Sequence, residues 1–460
     1  MTPMLADAID IPVVLLAGVI VLAPLLAFNV FVEAFILKKC WRLPYRQLCV
    51  FALVANLWSL LAGIPTKILN AYLYDALLPA DIPGYFARYP LALAIGSLVY
   101  FAVTLLVEGG YALRWCRRNG LGLSAGVVWR GILFANLATY AVLAPLHYWM
   151  TQPGNEIKQF AKDPSWAAHP EQTFLFVDGT DGFLKAARLD GTGLKTIVPV
   201  PMADYQVSSN LSVCLFRGTN GNLYLYRQDL GKAQPVWKTS ERYLMNRVAF
   251  SPSGAHVAYV SEKNNHLTVV DTTTGREMQL PEGRGLVVSD PSVVWSAEEM
   301  KFFVKGAEGN RDVKVTIGAD GTLNAEAIEG TNTLAILPCY GRIGDGSWWA
   351  GSDWGASYHQ DATNDLEAAS WPGLDSGLRI YRHVGGTNSR VLTVSVRPGL
   401  LHLAGFYFGD VAFAGTPDQC LFEANGYIYL LDIPKRRLAT LAKGDRFILL
   451  TPRYEKGFKR

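Results

Sequence analysis

The sequence predicts two fold classes in one chain, a four-helix transmembrane bundle over residues 1–150 and an all-β propeller over 172–460. Three observations predict it. Apolar residues gather in the first third, in four long runs separated by short loops. Beyond Met150 these give way to short alternating segments bounded by Gly, Asn and Asp, the pattern of half-buried strands and their turns. The alternating segments recur at roughly 40–50 residues, the period of a propeller blade.

Composition sets the frame. The chain has 460 residues, half of them hydrophobic, which is too long for one ordinary core and apolar for a soluble protein. Its formal net charge is +3, but the excess is local. Residues 1–150 hold ten Lys/Arg and six acids, leaving 32 basic and 33 acidic residues for 151–460. The β part therefore lacks the basic bias that nucleic-acid binding requires.

The four apolar runs are Ile11 to Leu37, Leu48 to about Ala71, Leu91 to Val107 and Val127 to Trp149. Each approaches or exceeds the ~20 residues that a helix needs to cross a bilayer. The first lacks a basic n-region and is too long for a cleaved signal, so it is read as retained. Lys38, Lys39, Arg42 and Arg46 in loop one, and Arg114, Arg117 and Arg118 in loop three, have no acid among them. Loops that keep Lys/Arg stay cytoplasmic. The N-terminus and the β domain are thus expected outside, in a bacterial inner membrane with the β domain in the periplasm.

The two helical hairpins resemble each other. Val32-Glu33, a basic cluster around Cys40 and Ala55-Asn56-Leu57-Trp58-Ser59 recur as Val107-Glu108, a basic cluster around Cys116 and Ala135-Asn136-Leu137-Ala138-Thr139. Both run in the same sense, a parallel repeat with its pseudo-axis along the membrane normal. Glu33, Asn56, Glu108 and Asn136 are costly in lipid and are expected to face inward. They form either a polar site for an ion, proton or small polar group, or interhelical Glu–Asn bonds that fix packing. The packing reading is preferred, because polar groups within spans often act as glue.

Residues 151–171 contain Pro153, Gly154, Pro164 and Pro170 and read as a linker. The clearest blade follows at Arg247-Val-Ala-Phe-Ser-Pro-Ser-Gly254, His256 to Val260, His266 to Asp271 and Thr274-Gly275, with a second at Asp410 to Phe413, Cys420 to Phe422 and Gly426 to Asp432. Weaker copies begin near Tyr205, Ser292 and Ser347. The first blade opens at Thr173 without its innermost strand, while Arg446 to Thr451 is a strand without a blade. Joining the two closes a ring of six blades, with seven as the fallback. The copy at 247–280 resembles the WD40-like repeats of TolB-type propellers, and so does 410–441. The resemblance implies a periplasmic interaction scaffold and carries no catalytic residues. The membrane unit resembles no such family.

The candidate ligand-binding residues lie between Gly344 and Gly377, read as an insertion in the fifth blade: Trp348, Trp349, Trp354, Tyr358, His359, Asp361, Asp365 and Trp371. Clustered Trp with acids suits a sugar, a cationic ligand or a partner. Equally, the tryptophans fill an inter-blade core or rest at a bilayer interface. Asp361 to Glu367 lacks the spacing and central Gly of a calcium loop. Gly122-Leu-Ser124-Ala-Gly126 matches a nucleophile elbow in letters only, since no strand precedes it, and Ser124 is read as a helix cap. No zinc-protease, P-loop or haem motif occurs, so no metal or cofactor is expected. Cys40, Cys49 and Cys116 fall on the cytoplasmic side and Cys214, Cys339 and Cys420 outside; all are read as apolar thiols.

The leading functional expectation is a non-enzymatic inner-membrane protein, partnered by the lipid bilayer, whose propeller binds a protein or a glycan. One alternative is a hydrolase or lyase at the Trp/Asp segment, which requires His359 and two of Asp353, Asp361 and Asp365 to converge. The other is an accessory subunit of a membrane complex.

Overall fold

The computed structural model describes residues 24–151, 156–208, 211–235, 248–251, 253–260, 267–278, 288–295, 301–306, 312–327, 357–360, 366–371, 377–384, 387–395 and 408–450. The chain divides into a helical and a β-rich compact unit.

In the helical unit, α1 covers 24–41 of the described chain. It is followed by α2 (Tyr45–Leu77), α3 (Ile82–Arg118) and α4 (Ala125–Thr151). Three helices, over Tyr45–Tyr74, Ile82–Arg118 and Ala125–Pro145, are long and apolar enough to cross a membrane. The expected first span, Ile11 to Leu37, lies partly outside the described residues. Local chemistry marks the ends. Arg42 turns into the left-handed region at φ 57° and stops α1. Asp81 caps α3 by accepting from the Gly84 N–H at 2.7 Å, as an N-cap carboxylate does. Ser124 directly precedes α4, and its Oγ accepts from the Val127 N–H at 3.4 Å.

The two hairpins bury equivalent positions. Leu37, Trp41, Leu48, Phe51 and Ala55 from the first pack with Ala112, Cys116, Val128, Ile132 and Ala135 from the second. Bulk on one side is answered by its absence on the other, since Phe51 corresponds to Gly131 and Trp41 to Cys116. A Cβ on Gly131 would collide with the Trp41 indole, and one on Gly109 with the Trp129 ring. The Trp41 Nε1–H donates to the Val127 carbonyl at 3.3 Å. The outer surface is the reverse of a soluble protein's. All the exposed large hydrophobics among the described residues, except Phe160, Leu194, Leu230 and Val384, belong to this unit.

The β unit is built from antiparallel four-stranded sheets. They are β5–β8 (Met202–Val207, Val213–Gly218, Leu223–Arg227, Lys232–Pro235) and β9–β12 (Val248–Phe250, His256–Val260, Leu267–Asp271, Glu277–Met278). Next come β13–β16 (Val288–Trp295, Lys301–Gly306, Asp312–Ile317, Leu323–Ala327) and β17–β20 (Ser357–Gln360, Leu366–Trp371, Gly377–Val384, Thr387–Ser395). The last group, β21–β24 (Phe408–Phe413, Gln419–Ala424, Tyr427–Asp432, Arg437–Leu449), is continuous with β2–β4 (Thr173–Asp178, Leu184–Arg188, Lys195–Val198) in one eight-stranded sheet.

The join is β24, 13 residues long. Its first half pairs with β23, from Arg437 opposite Asp432 to Lys443 opposite Tyr427. Its second half pairs with β2, from Gly444 opposite Asp178 to Leu449 opposite Phe174. β24 thus joins β21–β23 to β2–β4. The crossover sits at Gly444, where a Cβ would strike the Val177 carbonyl and the Phe176 ring.

Successive sheets pack through continuous apolar layers. One joins Leu421, Ile428 and Leu430 to Phe174 and Phe176, the next Leu175 and Val177 to Tyr205 and Phe216. Two more join Leu215 to Phe250 and Val257, and Val269 to Trp295 and Val315. The Trp295 Nε1–H crosses the last of these to the Ala249 carbonyl at 3.0 Å.

Residues 156–171, marked in the sequence by prolines, attach to this unit. β1 (Gln159–Ala161) runs parallel to β24. The Glu156 N–H bonds to the Thr393 carbonyl at 3.1 Å, and Trp166 stacks under the Arg437 guanidinium at 4.2 Å. Cys214 and Cys420 are free and buried, and burial pushes both thiols well above their ordinary range. Cys339 lies outside the described residues.

Candidate functional site

The four intramembrane polar residues come together as bonded pairs. Asn56 and Asn136 each spend one amide hydrogen on their own helix, on the Ala52 carbonyl at 2.9 Å and the Ile132 carbonyl at 3.1 Å. That back-bond fixes the amide plane and aims the Nδ2 group across the bundle. Asn56 Nδ2 reaches Glu33 Oε2 on α1 at 2.6 Å, and Asn136 Nδ2 reaches Glu108 Oε2 on α3 at 2.8 Å. Both carboxyls are withdrawn from solvent, Glu33 at 3% and Glu108 at 1% exposure.

A third donor links the hairpins. Ser59, one turn beyond Asn56 on the same face of α2, donates from Oγ to Glu108 Oε1 at 2.8 Å. One stripe of α2 therefore serves a carboxyl of each hairpin, since residues three apart on a helix are neighbours. The two carboxyls therefore meet neighbouring positions on one helix face. Tyr140, one turn beyond Asn136, stands near both and bonds through its hydroxyl to Thr104 Oγ1 at 3.2 Å. Ser59, Thr104 and Tyr140 were not singled out from the sequence. A hydroxyl within an apolar span is commonplace, and only the repeat of Ser59 as Thr139 marked it.

The repeat is broken at that position. Thr139 Oγ1 donates to its own helix, at 3.0 Å to the Asn136 carbonyl and 3.3 Å to that of Ala135. Among the described residues Glu108 therefore has two side-chain donors and Glu33 has one.

A second polar cluster lies in the β unit, formed by side chains of β5, β21, β22 and β24. Arg446 adopts φ 52°, which turns its N–H out of the ladder and onto Glu423 Oε2 at 2.9 Å. Its guanidinium pairs with Asp204 Oδ2 at 2.7 Å, and its carbonyl accepts from the Tyr205 hydroxyl at 2.8 Å. Glu423 is pushed up to about 8, first by burial and then by the charges of Asp410 and Asp445, against the Arg446 N–H. Burial also raises Asp445. Asp204, Asp410 and Arg446 each stand three positions before the end of their strand, β5, β21 and β24. Among the described residues no group of three or more His, Cys, Asp or Glu is arranged to hold a metal ion.

Of the Trp/acid segment, Tyr358 and His359 fall in β17, where they pair with Ala369 and Ala368, and Trp371 ends β18 opposite Gly377. These stretches are strands of a sheet, where the sequence suggested an insertion; the small residues Ala368, Ala369 and Ser370 concealed the alternation. Trp348, Trp349, Trp354, Asp353, Asp361 and Asp365 lie outside the described residues.

No protein-family model matches this sequence, and neither does any curated protein. Solved structures give distant matches. TolB from Acinetobacter baumannii is 13% identical, with 69% of this chain and 70% of that one covered at a TM-score of 0.31. An oligogalacturonate lyase from Vibrio parahaemolyticus is 14% identical over 59% of this chain and 84% of that one, TM-score 0.31. The dihydro-heme d1 dehydrogenase NirN is 12% identical over 64% and 78%, TM-score 0.35. At this level nothing is carried from these proteins to the present chain.

Proposed function

We propose that this chain is a membrane-anchored β-propeller that displays a binding scaffold for a protein or glycan on the outer face of a bacterial inner membrane. The observation that carries the reading is the pairing of a helical unit that is apolar on its outer surface and buries a few polar residues with sheets whose first and last strands are stitched by β24. A six-bladed ring follows if β24 supplies the inner strand of the first blade and the remaining sheets each form one blade. A ring closed in this way leaves only short strand edges, which suits an exposed scaffold. The basic loops Lys38 to Arg46 and Arg114 to Arg118 favour the side opposite the β domain as cytoplasmic. The Trp/acid segment 344–377 is the proposed ligand face, with stacking on Trp348, Trp349 or Trp354 as the recognition chemistry.

Protease added to spheroplasts expressing the full chain tests the placement. The β unit is expected to be digested while the helical unit stays with the membrane. A β unit protected until the membrane is permeabilised overturns the orientation and, with it, the scaffold reading.

A further inference from the structure

We infer that Glu33 and Glu108 hold a monovalent cation between them, a proton or a sodium ion, within the helical unit. The argument begins with charge. Two buried carboxyls meet one face of α2, Glu33 at Asn56 and Glu108 at Ser59 three residues on, and the described residues give neither of them an ion pair; their partners among those residues are Asn56, Asn136 and Ser59. An uncompensated charge in this setting is costly, and two of them more so. Amide and hydroxyl donors lower that cost without neutralising it.

The second observation is an orphaned acceptor. Asn136 is 1% exposed, and its Oδ1 has no hydrogen-bond partner among the described residues. The amide is correctly oriented, because its Nδ2 already serves two acceptors, Glu108 and the Ile132 carbonyl. Its oxygen is therefore the other end of a planar group held against the Glu108 carboxyl. A buried lone pair beside a carboxylate asks for a proton or a cation, since another acceptor only adds repulsion.

The broken repeat points the same way. If the hairpins were equivalent, Thr139 would donate to Glu33 as Ser59 donates to Glu108. It bonds to its own backbone instead, and Glu33 is left with the single donor Asn56. The oxygens that this layer of the bundle gathers, those of Glu33, Glu108, Ser59 and Asn136, are hard oxygens, the type that binds a proton or an alkali cation. Among the described residues the side chains bonded to the pair are Asn56 and Ser59 from α2 and Asn136 from α4. None of them brings a positive charge.

The test is labelling of the full chain, in detergent micelles or nanodiscs, with a hydrophobic carbodiimide that modifies only protonated carboxyls, read by peptide mass spectrometry. Adduct at Glu33 or Glu108 is expected to fall about tenfold per pH unit above a midpoint, as for one titrating group. If sodium chloride, but not choline chloride, suppresses the adduct at fixed pH, the occupant is sodium. If sodium has no effect, the occupant is the proton. Absence of adduct across the accessible pH range with no response to sodium overturns the inference, and so does an adduct indifferent to both. Glu33→Gln provides a second readout that keeps the Asn56 contact. Thermal unfolding of the wild-type helical unit, followed by its helical circular dichroism, is expected to shift with pH or sodium, and that shift is expected to vanish in this variant, apart from the pH response of Glu423 in the β unit. A wild-type midpoint that moves with neither also overturns the inference.

Discussion

Glu108 and Glu423 are both buried carboxylates, and the two units treat them differently. In the helical unit Glu108 is held by side chains from neighbouring helices, Ser59 and Asn136, because helical backbone has no N–H to spare and lipid offers none. In the β unit Glu423 takes a backbone N–H that a bent strand has released, beside an Arg446–Asp204 ion pair. A bundle must write its polar contacts into side chains, which leaves a trace in the sequence. A sheet can obtain them from backbone geometry, which does not.

The strongest way to break this comparison is at the strand crossover. Gly444→Val places a side chain against the Val177 carbonyl and the Phe176 ring. It is expected to destabilise the β unit by about 3 kcal/mol, the upper end for overpacking against a structure that cannot yield. Chemical denaturation followed by β-sheet circular dichroism reads this, and the helical signal should be unaffected.

Next is the charge on Glu423. An acid whose folded pKa lies near 8 binds its proton more tightly folded than unfolded. Stability is therefore greatest below about pH 4.5 as far as this group is concerned, and it falls as pH rises to about 8. Allowing for relaxation, the loss is on the order of 2 kcal/mol. Glu423→Gln should flatten the slope and raise the melting temperature at about pH 9 while changing little at about pH 5. A slope identical in the variant would show that other groups cause it.

The asymmetry of the helical unit gives a smaller effect. Asn56→Leu removes the single donor of Glu33, whereas Asn136→Leu leaves Glu108 with Ser59. The expected losses are about 2 and about 1 kcal/mol, in the range for buried polar contacts between membrane helices. Equal losses in thermal unfolding in detergent would remove the distinction between the hairpins. Smallest is Arg437→Lys. It keeps the charge opposite Asp432 but weakens the stack on Trp166, at a cost of about 0.5–1 kcal/mol, readable by differential scanning calorimetry.

Much of the architecture was legible because period and composition report it directly. Three of the four apolar runs correspond to helices long enough to span, the first lying partly outside the described residues, and Thr173 and Arg446 marked the missing and surplus strands that β24 joins. The repeated Glu/Asn letters drew attention to the right layer of the bundle, but letters do not say which oxygen meets which hydrogen. Ser59 and Thr139 occupy equivalent places and bond differently, a choice of rotamer that no pattern carries. The role of Glu423 was hidden for another reason. It depends on a left-handed turn at Arg446, a residue with no sequence preference for that conformation. Ser357–Gln360 and Leu366–Trp371 escaped as strands because Ala and Ser stand where alternation would show large apolar residues.

The central claim is that apolar exposure means lipid in one unit and water in the other. Power-saturation EPR of the full chain in nanodiscs tests it, with nitroxides placed singly at Leu61, Ile64 and Leu98 of the helical unit and at Leu194 and Leu230 of the β unit, all exposed. The helical positions should relax with dissolved oxygen and ignore a water-soluble nickel chelate, and the β positions should do the opposite. Helical labels that collide with the nickel chelate as freely as those at Leu194 and Leu230 would contradict the account.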